Sequence, residues 1–244
     1  MSQISTVRDT TTARLVDEGA TTVPGAVLLG SLDGAAWAEL AAQWEDLPRD
    51  EHLADGGEWR QRRHGLLRAR PAGQQGYVLE PLPAAPFQQS ADLIPLYGGK
   101  ARMFAPIDEG ALGGPALRTL LQHDLELVAR AEGERRPWRI QLHMIRVLAS
   151  ASEQIAPAPE GRHSDGHAYV AMHLIGRERC DGGVSRIYTA GSKVPFLITT
   201  MTAALDTVVI DDRRVEHEVT PITPTGETAT RDLLLVDFDP DPEG

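Results

Sequence analysis

The residues with the most chemical reach lie at 159–167, in the run PEGRHSDGH. Along extended chain alternate side chains share a face, so His163 and Asp165 point the same way. An imidazole beside a carboxylate supplies two legs of a 2-His-1-carboxylate set. That donor set suits non-haem Fe(II) and leaves positions open for a cosubstrate and O₂. The third leg must come from elsewhere in the chain. His217 is the natural candidate, being the only histidine after His173 and standing at the start of the β-type run 216–222, EHEVTPI. Alone, a His-x-Asp triplet is weak, because a turn histidine beside an Asp capping a backbone amide has the same spelling.

A basic residue beyond His217 adds to the pattern. Arg231 opens the strand-like run 231–238, RDLLLVDF. A 2-oxoglutarate bound to iron through its keto-acid end leaves a distal carboxylate that needs a buried cation. The planar fork of an arginine grips such a group with two parallel hydrogen bonds. Read alone, Arg231 is better explained as a strand-end surface arginine, and its position after His217 reverses that reading. Two other functions fit parts of the pattern. A zinc-dependent hydrolase could use the i, i+4 pair His163 and His167 on a helix, but Gly166 and the β-type run 168–170 disfavour a helix, and no Glu follows His163 directly. A non-enzymatic jelly-roll protein that binds a small ligand is the other, since fold alone does not imply activity.

The elements that must position these residues fall into two halves. After Pro137, short β-type runs succeed one another between Gly, Pro and Asp turns: 138–148, 167–175, 183–188, 196–201, 207–210, 216–222 and 233–238. Such spacing without long helices indicates a sandwich or barrel. The first half mixes helix and strand. Residues 23–30 read as a short strand closed by a glycine. Ala36, Trp37, Leu40, Ala41 and Trp44 fall at helical spacing with Asp33 placed to cap them. Leu117, Leu120, Leu121, Leu125 and Val128 line one face of a helix over 115–131, with Pro115 at its start and Gly133 past its end. The fold class is therefore mostly β (α+β), with N-terminal flanking helices. Residues 1–20 are polar and read as a flexible N-terminal arm. Residues 21–244 read as one domain, with a barrel core over about 137–238.

Composition narrows the partners. The 244 residues carry 24 basic and 35 acidic side chains, a net charge of −11 that repels phosphate backbones and argues against nucleic acid. No apolar run is long enough to span a bilayer. A lone Cys180 excludes an internal disulfide and suits a reducing cytoplasmic setting. Oligomeric state is not readable from the sequence.

Taken in order, these pieces resemble the 2OG-Fe dioxygenase family that includes bacterial L-isoleucine 4-hydroxylase and related free-amino-acid hydroxylases. The resemblance runs through 57–64 (GEWRQRRH), 86–89 (PFQQ), 98–104 (GGKARMF), 143–146 (HMIR), 159–166 (PEGRHSDG), 182–185 (GGVS), 217–222 (HEVTPI) and Arg231 with Asp232. It implies a double-stranded β-helix (jelly-roll, cupin-like) core. It further implies His163, Asp165 and His217 as iron ligands, Arg231 as the 2-oxoglutarate anchor, and Fe(II), 2-oxoglutarate and O₂ as cofactor and cosubstrates. Leu233 stands where many relatives place a Ser beside the arginine, and Met144 where a Gln is expected. The implied reaction hydroxylates an unactivated C–H bond of a free L-amino acid or a small molecule derived from one.

Such a substrate needs a cation for its carboxylate. Arg60, Arg62, Arg63 and Arg146 are the candidates, although the 60–63 cluster also reads as a solvated strand face. Arg146 lies in an apolar strand, where a buried arginine requires a partner. Gln88 or Gln89 could add polar contacts, and His143 could touch substrate.

Overall fold

A computed structural model of the chain describes residues 3–73, 76–151 and 153–243. Its elements, in order, are α1 (Gln3–Glu18), β1 (Ala20–Val23), α2 (Gly25–Leu29), α3 (Gly34–Ala42), β2 (Arg60–Pro71), β3 (Tyr77–Leu82), α4 (Glu109–Gly113) and α5 (Pro115–Glu132). The second half contains β4 (Trp138–Ser150), β5 (Tyr169–Glu178), β6 (Cys180–Gly182), β7 (Val184–Thr189), β8 (Leu197–Thr200), β9 (Thr207–Asp211), β10 (Val215–Val219), β11 (Ile222–Pro224) and β12 (Thr228–Pro240).

Seven strands form one antiparallel sheet in the order β1-β9-β5-β12-β4-β2-β3. A three-stranded sheet, β10-β7-β8, and a two-stranded sheet, β11-β6, supply the remaining strands of the jelly roll. Side-chain parity decides what each face of the large sheet meets. On β4 and β12, Trp138, Ile140, Leu142, Met144, Leu234, Val236 and Phe238 are buried with α5 residues Leu117, Leu120, Leu121, Leu125 and Val128 in one core. Residues of the opposite parity, Leu233 and Leu235, pack with Met172 and Ile187 in a second core between the sheets. Met144 therefore faces the helices, and its departure from the expected Gln does not alter the pocket.

The helical signals act as expected. Asp33 accepts hydrogen bonds from the amides of Ala35 and Ala36, each at 3.0 Å. Gly133 ends α5 in the left-handed region at φ 75°, which a glycine adopts without steric cost. Three expectations fail. The run 23–30 is not a strand: β1 stops at Val23, and α2 follows Pro24, which has no amide to continue a ladder. The amide of Gly25 instead donates to Asp206 Oδ1 at 3.0 Å. Residues 3–20 are not a loose arm either. Met1 and Ser2 lie outside the described residues, but α1 covers Gln3–Glu18, buries Leu15 in the core, and leads into Ala20 of β1, which pairs with Ile210 of β9. One buried leucine in a polar run is too little periodicity to announce that helix. Strands β1, β2 and β3 also extend the large sheet well before residue 137. No helix among the described residues is long and apolar enough to cross a membrane.

Candidate active site

His163 and His217 meet through the backbone before their side chains meet. His163 N donates to His217 O at 3.0 Å and His217 N to His163 O at 2.8 Å, an isolated antiparallel bridge between a loop and β10. Their rings lie 4.5 Å apart. Asp165 reaches both: Oδ1 is 3.4 Å from His163 Nε2, and Oδ2 is 3.5 Å from His217 Nε2. One ligand atom from each of the three lies within 4.8 Å of the others.

The surroundings hold this geometry. His163 Nδ1 donates to Gly161 O at 2.7 Å, which turns Nε2 toward Asp165. Asp212 pins the loop on the other side, accepting from Ser164 Oγ and from the amides of Asp165, Gly166 and His167 at 2.7–3.2 Å. The ring of His217 is less firmly tied, with Nδ1 buried and 3.9 Å from Asp212 Oδ1. Burial opposes charge on Asp165, but the hydrogen bond from His163 and the charge of His217 outweigh it and hold the carboxyl well below its usual range. Two imidazoles and one ionised carboxylate, aimed at one point and nearly sealed from solvent, are a donor set that fits Fe(II).

Arg231 lies in the same pocket as these three. It is 2% exposed, yet its Nε and Nη1 have no hydrogen-bond partner, and no acid among the described residues pairs with it. Gly183, at φ 65°, makes room for it: a Cβ there would sit 3.1 Å from Arg231 Nε. A buried guanidinium kept open in this way fits the distal carboxylate of 2-oxoglutarate.

The family model described as 2OG-Fe dioxygenase matches residues 41–237. The chain belongs to the 2OG-Fe dioxygenase family. The dioxygenase accordingly uses Fe(II), 2-oxoglutarate and O₂. Among solved structures it is similar to a bsmA homolog from Methylobium petroleophilum PM1, with 30% identity, TM-score 0.83, and 96% of this chain and 93% of that chain covered. The fold of IDO from Bacillus thuringiensis also matches, at 20% identity and TM-score 0.78, with 96% and 99% covered. An L-isoleucine-4-hydroxylase from Bacillus thuringiensis is 28% identical over 145 residues, which is 58% of this chain and 60% of that protein. The match therefore spans less than two thirds of that relative's length.

The remaining candidates divide by strand parity. Gln89 lines the pocket, donating to Asp165 Oδ1 at 3.3 Å and accepting from Arg102 Nη2 at 2.6 Å. Arg146 does not line it. It sits on the far face of β4 in a two-point ion pair with Asp232, at 2.8 and 2.7 Å, so the partner it requires is structural. Arg63 also turns away, donating to Pro106 O at 3.0 Å. His143 faces inward but is fully buried beneath the pocket wall, accepting from Arg62 at 2.7 Å and reaching Asp237 Oδ2 at 3.1 Å. Arg60 and Arg62 are buried in the pocket rather than solvated. Arg102 and Glu160 were missed by sequence reasoning. His167 does not join the triad, because its Nδ1 faces Asp239 Oδ2 at 2.8 Å. The zinc pairing of His163 with His167 thereby loses its geometry.

Proposed function

We propose that this dioxygenase hydroxylates an unactivated C–H bond of a free L-amino acid or a small molecule derived from one, with α1 and the elements that follow it acting as one catalytic domain in a reducing cytoplasm. His163, Asp165 and His217 would hold the iron, and Arg231 the distal carboxylate of 2-oxoglutarate. Bound there, Fe(II) and 2-oxoglutarate supply an O₂-dependent oxidation in which C–H becomes C–OH while 2-oxoglutarate becomes succinate and CO₂.

The observation that carries this reading is the unpaired guanidinium of Arg231 buried in the same pocket as the triad. The protein's own residues do three things there. Gly161 O fixes the tautomer of His163, leaving Nε2 free to ligate. Asp212 holds the backbone that presents Asp165. Leu233, Leu235 and Met172 wall the pocket with apolar surface that limits water at the reacting carbon. The match to an L-isoleucine-4-hydroxylase supports the amino-acid substrate class.

Anaerobic addition of Fe(II) and then 2-oxoglutarate tests the cofactor assignment. A visible charge-transfer band should develop in wild-type protein and be absent from His163→Ala. A folded wild-type protein that gives no band refutes the reading.

A further inference from the structure

Three arginines with no part in holding iron or 2-oxoglutarate converge on the pocket. Arg60 and Arg62 point in from β2, and Arg102 comes from the segment between β3 and α4. They are 5%, 6% and 3% exposed. A reciprocal backbone pair, Phe87 N to Arg102 O at 2.8 Å and Arg102 N to Phe87 O at 2.9 Å, fixes Arg102 in place. Arg60 and Arg102 both pack on the Tyr97 ring, with Cζ 5.7 and 4.9 Å from its centroid.

Their charges are poorly compensated. Arg60 has Asp50, at 2.7 Å. Arg62 bonds to His143 Nδ1, and because a guanidinium only donates, that ring is the neutral acceptor. Arg102 bonds to the neutral amide oxygen of Gln89. Arg60 Nη2, Arg62 Nε and Arg102 Nε are buried without partners. Three guanidiniums thus share one hydrogen-bonded carboxylate. Burying cations in this way is costly unless an anion arrives to complete the site.

The acids of the pocket contain a matching vacancy in charge. Four line it: Glu160, Asp165, Glu218 and Asp237. Asp165 belongs to the triad, Glu218 accepts from Tyr188 and Arg186, and Asp237 faces His143 and His167. Glu160 has Oε2 buried without a partner. Its Oε1 lies 3.7 Å from His163 Nε2, a nitrogen that carries no proton once it ligates a metal. Arg102 is joined to the triad by one side chain, Gln89, so an anion on Arg102 would lie beside the reacting centre.

We propose that Arg102 and Arg60 bind the α-carboxylate of the substrate and that Glu160 binds its ammonium group, so that the enzyme selects free zwitterionic amino acids and refuses forms blocked at either end. This rests on the dioxygenase reading above. Arg62 stands behind the pair, with Cζ 4.3 Å from the Phe104 ring, and adds positive charge to the same end of the pocket.

The test uses the full chain with Fe(II) and 2-oxoglutarate. The common L-amino acids, with the carboxamide and the N-acetyl form of each, are offered under air at equal millimolar concentration while succinate is measured. A free amino acid should accelerate succinate release, and both of its blocked forms should be at least tenfold weaker. Arg102→Gln should raise KM for the free acid at least tenfold and erase the preference for carboxylate over carboxamide. Glu160→Gln should do the same for free amine over N-acetyl. Both variants should keep the anaerobic Fe(II)–2-oxoglutarate band, which reports an intact fold and cofactor site. Blocked forms that work as well as the free acid overturn the proposal, as does an unchanged KM in either variant. A panel in which no free amino acid raises succinate, although the band forms, also overturns it. Absence of the band from wild-type protein overturns the underlying reading instead, and the proposal with it.

Discussion

Replacing Arg231 with methionine should make the cofactor-free protein more stable while abolishing its response to 2-oxoglutarate. Burial pulls this guanidinium from its ordinary 12.5 down to about 10. A base whose pKa is lower folded than unfolded holds its proton less tightly when folded, so at neutral pH the charge favours the unfolded chain. The difference corresponds to about 3 kcal/mol. Methionine retains much of the apolar stem without the charge, and part of the 3 kcal/mol should be recovered. For a chain of this size that sets a ceiling of roughly 6–12 °C on the rise in Tm. Saturating 2-oxoglutarate has the opposite effect on wild type, adding about 4.1 kcal/mol at a thousandfold excess over Kd. The order of stabilities should therefore invert. Arg231→Met melts higher without ligand, and wild type melts higher with Fe(II) and 2-oxoglutarate, as read by anaerobic thermal denaturation followed by circular dichroism. A variant that melts lower without ligand, or one still stabilised by 2-oxoglutarate, would refute the reasoning.

Two further outcomes follow from buried acids. Asp212→Ala removes the acceptor for Ser164 and for three loop amides, so Fe(II) affinity should fall about 10–100-fold in a metal titration while secondary structure is kept; undiminished affinity would show that the loop holds itself. Asp124, buried against His173, is disfavoured as an anion by burial, but the charge of His173 and its hydrogen bond to Oδ2 at 2.8 Å outweigh this, with His123 3.6 Å away on the other side, and hold it at about 2. An acid depressed in this way stabilises the fold above its unfolded pKa near 4, and that stability is lost as pH falls through 2. Denaturant unfolding should find wild type losing about 2 kcal/mol relative to Asp124→Asn between those limits, and a gap independent of pH would contradict it.

The parts of the molecule governed by strong local periodicity were readable in advance. The helix ending at Gly133 and the strands after residue 137 belong to this class, and so do the spacings that put His163, Asp165, His217 and Arg231 in order. What remained hidden was which face of each strand looks inward. Arg146 and Arg231 both sit in apolar strands, yet register sets Arg146 opposite Asp232 and Arg231 opposite Val147. That single step of parity sends the one to an ion pair and the other to the pocket. The same rule marks Arg60, Arg62 and His64 as one face and Arg63 as the other, and the signal was available once β2 is recognised as a strand beside β4. Arg102 gave no such clue, because the segment that carries it has no period and is held by isolated backbone bonds to Phe87, Gln89 and His64. Only the tertiary fold brings it to Gln89.

β12 acts as the ruler of this enzyme. Arg231, Leu233, Leu235 and Asp237 all face the pocket from one strand, so about 20 Å of recognition surface is marked off along one backbone at roughly 3.3 Å per residue. Its thirteen pairs with β4 run without interruption, whereas against β5 a bulge after Asp232 absorbs a slip. A single inserted or deleted residue within the strand would exchange the marks for their neighbours, turning Asp232 in and Arg231 out. What this strand presents to the pocket can therefore be changed only by substituting its side chains, because its spacing cannot be stretched.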